Sequence, residues 1–135
     1  MRNLPAGIII LALAAWAVPD GGNRTQAAET SDAMLVHDVY FALKDNSAEA
    51  KKKFVDLCKK YLTKHEGALH FGVGPVVELR KRPPEADHFD IALHIVFKNK
   101  EAHDKYQVSD RHKEFMKELK DSLKKVEVFD SYIEK

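Results

Sequence analysis

The sequence predicts an α+β fold in which a four-stranded antiparallel sheet carries helices on one of its faces. Three observations support this prediction: segments that alternate like strands, segments with apolar residues at helical spacing, and a chain order of β-α-β-β-α-β. The chain has 135 residues, of which 44% are hydrophobic and 32% are charged. This composition is typical of a single small globular domain.

The first predicted strand spans residues 34–43 and is largely apolar on both faces. One face carries Leu35, His37, Val39, Phe41 and Leu43. The other face carries Val36, Asp38, Tyr40 and Ala42. Because neither face is strongly polar, we expect both faces to be covered in the folded protein.

The first helix is predicted to open at Asn46 and Ser47, with Glu49 in the capping-box position three residues after Asn46. Gly67 is the expected stop signal. The apolar positions that recur at helical spacing are Ala50, Phe54, Leu57, Cys58, Tyr61 and Leu62. The lysine-rich opposite side is interpreted as a solvated helix face rather than a nucleic-acid patch.

Two strands follow, the first of them irregular. It is predicted over residues 69–80 and is interrupted by Gly72, Gly74 and Pro75, a pattern typical of a bulge or an edge strand. A charged loop over 80–87 leads to a regular strand over 88–97. One face of that strand carries Phe89, Ile91, Leu93, Ile95 and Phe97, and the other carries Asp90, Ala92, His94 and Val96.

The last third of the chain predicts a short helix over 99–106, a helix over 111–124 capped by Asp110, and a strand over 126–133. The residues sharing the apolar face of the longer helix are His112, Phe115, Leu119 and Leu123. The resulting β-α-β-β-α-β order is the ferredoxin-like, split βαβ arrangement.

Helices would cover only one face of this sheet. The other face would carry Val36, Tyr40, Ala92 and Val96, which are too apolar for open water. We therefore expect a second copy of the chain to cover it and give a homodimer, with His94 at the interface.

Residues 1–28 differ from the rest of the chain and predict a secretory signal peptide and linker. A positive start at Arg2 precedes an apolar run over 4–18, and small residues at 15–17 and 26–28 offer cleavage sites. We therefore expect one domain over 29–135, exported to a periplasmic or extracellular location and free of the membrane after cleavage. The alternative is an uncleaved N-terminal membrane anchor.

Charge and cysteine content exclude several functions. Lys and Arg number 22 against 21 Asp and Glu, so the chain lacks the basic excess of a nucleic-acid-binding protein. One cysteine excludes an internal disulfide and a multi-cysteine metal site, and Cys58 is interpreted as a core residue. The seven histidines show no metal-binding spacing, and Gly72-Val73-Gly74-Pro75 does not match a phosphate loop. No metal or cofactor is predicted.

Several segments in order resemble the stress-responsive dimeric α/β-barrel domain (Dabb) family. They are Leu35-Val36-His37-Asp38-Val39, Ala92-Leu93-His94-Ile95-Val96-Phe97, Tyr106 with Asp110-Arg111-His112-Lys113-Glu114-Phe115, and Val128-Phe129-Asp130-Ser131-Tyr132. The resemblance covers about residues 34–133. It implies a ferredoxin-like unit whose sheets pack face to face in a dimeric barrel. Most members have no established reaction, one is the polyketide cyclase olivetolic acid cyclase, and haem-degrading monooxygenases share the wider fold.

Three residues match those that the cyclase uses. His37 matches its strand-one histidine, Tyr106 its tyrosine, and His112 the histidine six residues later. A further cyclase histidine falls at Ile91, so the resemblance does not imply the same substrate.

The residues themselves allow two interpretations of this trio. His112 lies in a first helical turn on an apolar face, which favours a neutral imidazole able to act as a general base, while Tyr106 can donate to an oxyanion. His37 lies in phase with the helix-facing residues of its strand. Alternatively, His112 bonds a backbone carbonyl, and Tyr106 is a core aromatic with its hydroxyl at the surface.

Function therefore stays open between two classes. One is an exported stress-response module that binds a small apolar molecule or protects without turnover. The other is a cyclase-like or monooxygenase-like enzyme that uses a Tyr/His acid–base pair formed by Tyr106 and His112, with help from His37.

Overall fold

The computed structural model describes residues 32–77 and 88–134. The elements in chain order are β1 (Met34–Leu43), α1 (Ala48–Leu62), β2 (Ala68–Pro75), β3 (Ile91–Phe97), α2 (Lys100–Val108), α3 (Asp110–Leu119) and β4 (Leu123–Ile133). The predicted α+β class is confirmed, with a helical region of two consecutive helices before the last strand. The predicted segment 1–28, the loop 80–87 and the end of the 69–80 strand lie outside the described residues.

The sheet has the strand order β2-β3-β1-β4, and every neighbouring pair is antiparallel. Strand β1 is therefore central, flanked by β3 and β4. Within this register His37 lies opposite Ile95 on one side and opposite Asp130 on the other. The pairing with β4 thus brings together two polar side chains that are 93 residues apart in the sequence.

The core lies between the sheet and the helices, on the face that the alternation of β1 predicts. The buried apolar residues of β1 and β3 are Leu35, Val39, Phe41, Leu43, Ile91, Leu93, Ile95 and Phe97. The helices contribute Phe54, Cys58, Leu62, Ala102, Tyr106, Phe115 and Leu119. Burial of this one face is the main stabilising term for a domain of this size.

The opposite sheet face is only partly covered within one chain. Its apolar members Val36, Ala92 and Val96 are half-buried. Tyr40 lies at its centre, with ring centroids 4.8 Å from Phe89 and 5.8 Å from Phe129, and Phe129 is 57% exposed.

The start of α1 lies within the predicted opening at Asn46 and Ser47, whereas the cap of α3 lies one residue before the predicted Asp110. Helix α1 is capped by Ser47, whose Oγ accepts the Ala50 N–H at 3.2 Å, rather than by Asn46. Helix α3 is capped by Ser109, whose Oγ accepts the His112 N–H at 3.3 Å, rather than by Asp110. In each case a serine supplies the side-chain acceptor: Ser47 directly follows Asn46, and Ser109 directly precedes Asp110.

The C-terminal ends of α1 and α3 also differ from the prediction. Helix α1 ends at Leu62, well before Gly67, which has a φ of +78° and lies in the turn into β2. A Cβ atom at Gly67 would lie 2.5 Å from the Cβ of Ala102, so any side chain at position 67 would clash with the first turn of α2. Helix α3 ends at Leu119 rather than at residue 124, because Leu123 already belongs to β4.

The predicted face assignment fails at the start of β3. Phe89 was expected to face the core, yet it packs on Tyr40 on the opposite face. Asp90 instead lies toward α1, where its Oδ2 accepts the Leu43 N–H at 2.8 Å and its Oδ1 lies 3.5 Å from Lys51 Nζ. The regular alternation begins only at Ile91, where strand pairing starts. In the described part of the chain, no helix is long and apolar enough to cross a membrane.

Candidate functional site

A cavity of ≈ 150 Å³ opens between the sheet and helices α2 and α3. Its wall is mainly apolar, with a few polar side chains. The lining residues are His37, Val39, Phe41, Leu93, Tyr106, Gln107, His112, Phe115, Met116, Leu119, Val126 and Val128. The three residues singled out from the sequence therefore line a single cavity.

His112 is held by the first turn of α3. Its Nδ1 lies 3.1 Å from the carbonyl oxygen of Gln107, so Nδ1 carries the proton and donates it. In the neutral ring, Nε2 then keeps its lone pair. Burial lowers the pKa of His112, and the neighbouring histidines add to this effect, whereas the bond to Gln107 opposes it. The bond matches the structural interpretation of His112, and the cavity position matches the catalytic one.

Tyr106 projects from α2 and is 2% exposed, which contradicts the alternative that puts its hydroxyl at the surface. Its ring centroid lies 4.7 Å from that of His112 and 4.9 Å from that of His65. None of the side-chain hydrogen bonds found among residues 32–77 and 88–134 involves its hydroxyl. Burial raises the pKa of Tyr106, so the hydroxyl keeps its proton and remains a donor.

His37 is oriented by a carboxylate on the neighbouring strand. Its Nδ1 donates to Asp130 Oδ1 at 2.7 Å, which leaves the lone pair of a neutral ring on Nε2. The residue is 3% exposed, and burial lowers its pKa despite the opposing effect of Asp130. An aspartate that fixes the tautomer of a buried histidine is a frequent arrangement in sites that move protons.

His103 joins this group from α2. Its ring centroid lies 5.0 Å from that of His37, and its Nε2 accepts the side-chain amide of Gln107 at 3.0 Å. The same Nε2 lies 3.8 Å from Asp130 Oδ2. One nitrogen of each histidine and one oxygen of Asp130 lie within 4.8 Å of one another.

His103, Gln107 and Asp130 were not predicted as site residues. The helical spacing contains a signal for His103, which precedes Tyr106 by three residues and therefore shares its helix face. The signal for Asp130 is a carboxylate that alternates in phase with Val128, on the strand face that carries valines. Neither signal predicts the pairing of β1 with β4, and it is this pairing that places Asp130 beside His37.

Cys58 and His94 lie where the sequence predicts them. Cys58 is fully buried, and burial raises its pKa to about 12, so it is an unreactive core thiol as expected. His94 lies on the open sheet face, as its alternation predicts, and its Nδ1 donates to Asp38 Oδ1 at 2.6 Å. It lies away from the cavity.

The fold and the site were compared with known proteins. The model of the family "Stress responsive A/B Barrel Domain" matches residues 35–133. No curated protein matches the chain significantly.

Solved structures with the same fold are distant in sequence. A Dabb family protein with a ferredoxin-like fold from Mesorhizobium loti is 24% identical, with a TM-score of 0.62, and the match covers 73% of this chain and 95% of that one. A dimeric ferredoxin-like protein of unknown function from Thermobifida fusca is 13% identical, with a TM-score of 0.64 and coverages of 75% and 92%. A hydroxynitrile lyase from Passiflora edulis is 19% identical, with a TM-score of 0.62 and coverages of 76% and 95%.

These similarities agree with the strand order, with the element order and with the sequence segments that resemble the Dabb family. The family match spans both the central strand that carries His37 and the last strand that carries Asp130. The chain therefore belongs to the stress-responsive A/B barrel domain (Dabb) family.

Proposed function

We propose that the protein binds a small carbonyl compound in the cavity and removes a proton from the carbon next to the carbonyl. The observation that carries this proposal is the hydrogen bond from His112 Nδ1 to Gln107 O, which leaves a basic Nε2 beside the Tyr106 ring in an apolar cavity. A base, a proton donor and a mainly apolar surrounding favour this reaction.

The proposed step moves one proton. His112 Nε2 accepts the proton from the substrate carbon and becomes an imidazolium, while the electron pair of the broken C–H bond moves onto the carbonyl oxygen. Tyr106 donates a hydrogen bond to that oxygen and stabilises the enolate. Return of the proton to carbon restores the enzyme, so the minimal observable reaction is hydrogen exchange.

The size and chemistry of the cavity limit the substrate. A cavity of about 150 Å³ holds a molecule about the size of benzene, and most of its lining is apolar. Small ketones such as butanone, cyclopentanone and cyclohexanone meet both conditions. The Passiflora edulis relative is a hydroxynitrile lyase, but at 19% identity its similarity supports the fold and not the reaction.

Proton exchange in D₂O tests the proposal directly. We expect the wild-type protein to accelerate loss of the α-proton NMR signal of at least one of these three ketones. The variant His112→Gln should lose about 100-fold or more of this acceleration, because general-base catalysis contributes at least that factor. His70→Gln is the matched control, since His70 is exposed on β2 and outside the cavity lining, and it should exchange like the wild type.

The outcomes separate the two classes of function. Binding of a ketone without exchange would refute the enzymatic proposal and support a binding module. Exchange that persists in His112→Gln would refute the role of His112.

We also propose a homodimer that forms through the open sheet face. The half-buried Val36, Ala92 and Val96 and the exposed Phe129 support it, and the Thermobifida fusca relative is described as dimeric. A charge at the centre of such an interface would remain desolvated and unpaired.

Light scattering of two glutamate variants tests the dimer. Val96→Glu should convert the dimer to a monomer. Val108→Glu, at an exposed valine at the end of α2, should leave the protein dimeric. A dimeric Val96→Glu variant would place the interface elsewhere.

The N-terminal sequence supports a proposal of export. We expect the intact mass of the protein from the exported fraction to lack the apolar run over 4–18. A membrane-bound protein of full length would instead support the uncleaved anchor.

A further inference from the structure

We infer that His37, His103 and Asp130 form a binding site for one divalent transition-metal ion of the zinc class, beside the cavity. One donor atom from each residue lies within 4.8 Å of the other two. The site combines residues from β1, α2 and β4, so it depends on the tertiary structure and not on a local motif.

The distances suit an ion between the three side chains. Asp130 lies 2.7 Å from His37 through Oδ1 and 3.8 Å from His103 through Oδ2. Nitrogen and oxygen ligands bind zinc at about 2.0–2.2 Å, which places two neighbouring ligand atoms about 3 to 3.5 Å apart. Side-chain movements of about 1 Å therefore convert the present arrangement into a coordination shell.

The donor set selects the class of ion. Two imidazoles and one carboxylate favour zinc and its first-row neighbours over Mg²⁺ and Ca²⁺, which prefer oxygen ligands. Three protein ligands leave at least one position for water or another small ligand. The side chain of Asp130 is 41% exposed, so an ion can enter from that side.

The second ring nitrogen of His103 stays available when Nε2 binds the ion. Nδ1 of His103 is the buried side-chain polar atom that lacks a hydrogen-bond partner in the described part of the chain. Oδ1 of Asp104 lies 3.5 Å from this nitrogen. A histidine that binds metal through one nitrogen commonly directs the N–H of the other toward a carboxylate.

An ion at this position would replace existing hydrogen bonds of His103 and His37. The Gln107 amide now donates to His103 Nε2 at 3.0 Å, and the ion would take over that lone pair. His37 would bind through Nδ1 and move its proton to Nε2. Neither His112 nor Tyr106 is a ligand, so this inference stands or fails separately from the proposed proton transfer.

Titration with Co²⁺ and Zn²⁺ tests the site. The protein is purified from expressing cells without a histidine tag, stripped with a chelator and titrated while its visible absorption spectrum is recorded. We expect one Co²⁺ per chain, displaced by Zn²⁺ and not by Mg²⁺. His103→Gln and Asp130→Asn should each weaken Co²⁺ binding at least tenfold.

His94→Gln is the matched control. His94 also pairs with an aspartate, Asp38, at 2.6 Å, but it is absent from the three-residue cluster. The control should bind Co²⁺ like the wild type. Absence of one-to-one binding by the wild type, or a loss caused by His94→Gln and not by His103→Gln, would overturn the inference.

A measurement on the wild type covers the case in which the variants fail to fold. Substoichiometric Co²⁺ should broaden the imidazole NMR signals of His37 and His103 before those of the exposed His70, His88 and His94. Broadening that begins at the exposed histidines would show surface binding and contradict the proposed site.

Discussion

The substitution Tyr106→Phe separates the catalytic from the packing role of this tyrosine. It removes one oxygen atom and leaves the ring in place against His112, His65 and Phe97. Because the hydroxyl makes no side-chain hydrogen bond within the described residues, the substitution breaks no intramolecular bond there.

The magnitudes follow from that geometry. Removal of a neutral hydrogen bond to a bound ketone costs about 0.5–1.5 kcal/mol, which corresponds to a loss in affinity of about 2- to 12-fold. Loss of a donor to an enolate oxygen costs more, about 100-fold in the rate of exchange. The melting temperature should stay about the same, since the substitution keeps the buried ring in place and breaks no side-chain hydrogen bond within the described residues.

The assay combines thermal denaturation, ketone binding and proton exchange in D₂O on the same samples. Tyr61→Phe is the control, because its hydroxyl bonds Lys60 and Glu118 outside the cavity lining. A Tyr106→Phe variant that loses stability but keeps its exchange rate would refute the donor role and assign Tyr106 to packing.

Three further results are expected. The free energy of unfolding should be at its full value above about pH 6.5 and fall as the pH decreases. Burial lowers the pKa values of His37, His65 and His112 below their unfolded value of 6.5, so the unfolded chain binds more protons than the folded chain. Urea denaturation at pH 7.5, 6.5 and 5.5 measures this dependence, and an equal stability at all three pH values would contradict it. Ser109→Ala should cost about 1 kcal/mol, measured in the same way, because Ser109 caps α3; no loss would show that the cap is dispensable. The Cys58 thiol should resist alkylation in the native state, since it is buried with a raised pKa, and fast labelling would contradict its burial.

Much of the fold was predictable from local patterns. The alternation of β1 assigned His37 to the buried face because side chains on a strand repeat with a period of two. The same rule failed at Phe89 and Asp90, which precede the regularly paired part of β3. There the Asp90 N–H donates to Phe41 O and the Asp90 carbonyl accepts from Val76 N–H, outside the regular pairing of β3.

The candidate site was predictable only in part. Tyr106 and His112 lie six residues apart on consecutive helices, so local structure alone brings them close together. Asp130 is different, because its place beside His37 requires the β1–β4 register. His103 shares a helix face with Tyr106, yet spacing along the helix does not say that this face meets β1.

The sequence by itself determined which residues are apolar at strand or helix spacing, and therefore which face of each element is buried. Burial follows from the hydrophobic effect, which acts on every residue according to its own side chain. Only the tertiary structure decided that His37, His103 and Asp130 share one cluster beside a cavity of ≈ 150 Å³. Such a cluster depends on distances between elements far apart in the chain, and strand pairing and helix packing fix those distances only when the whole sheet has formed.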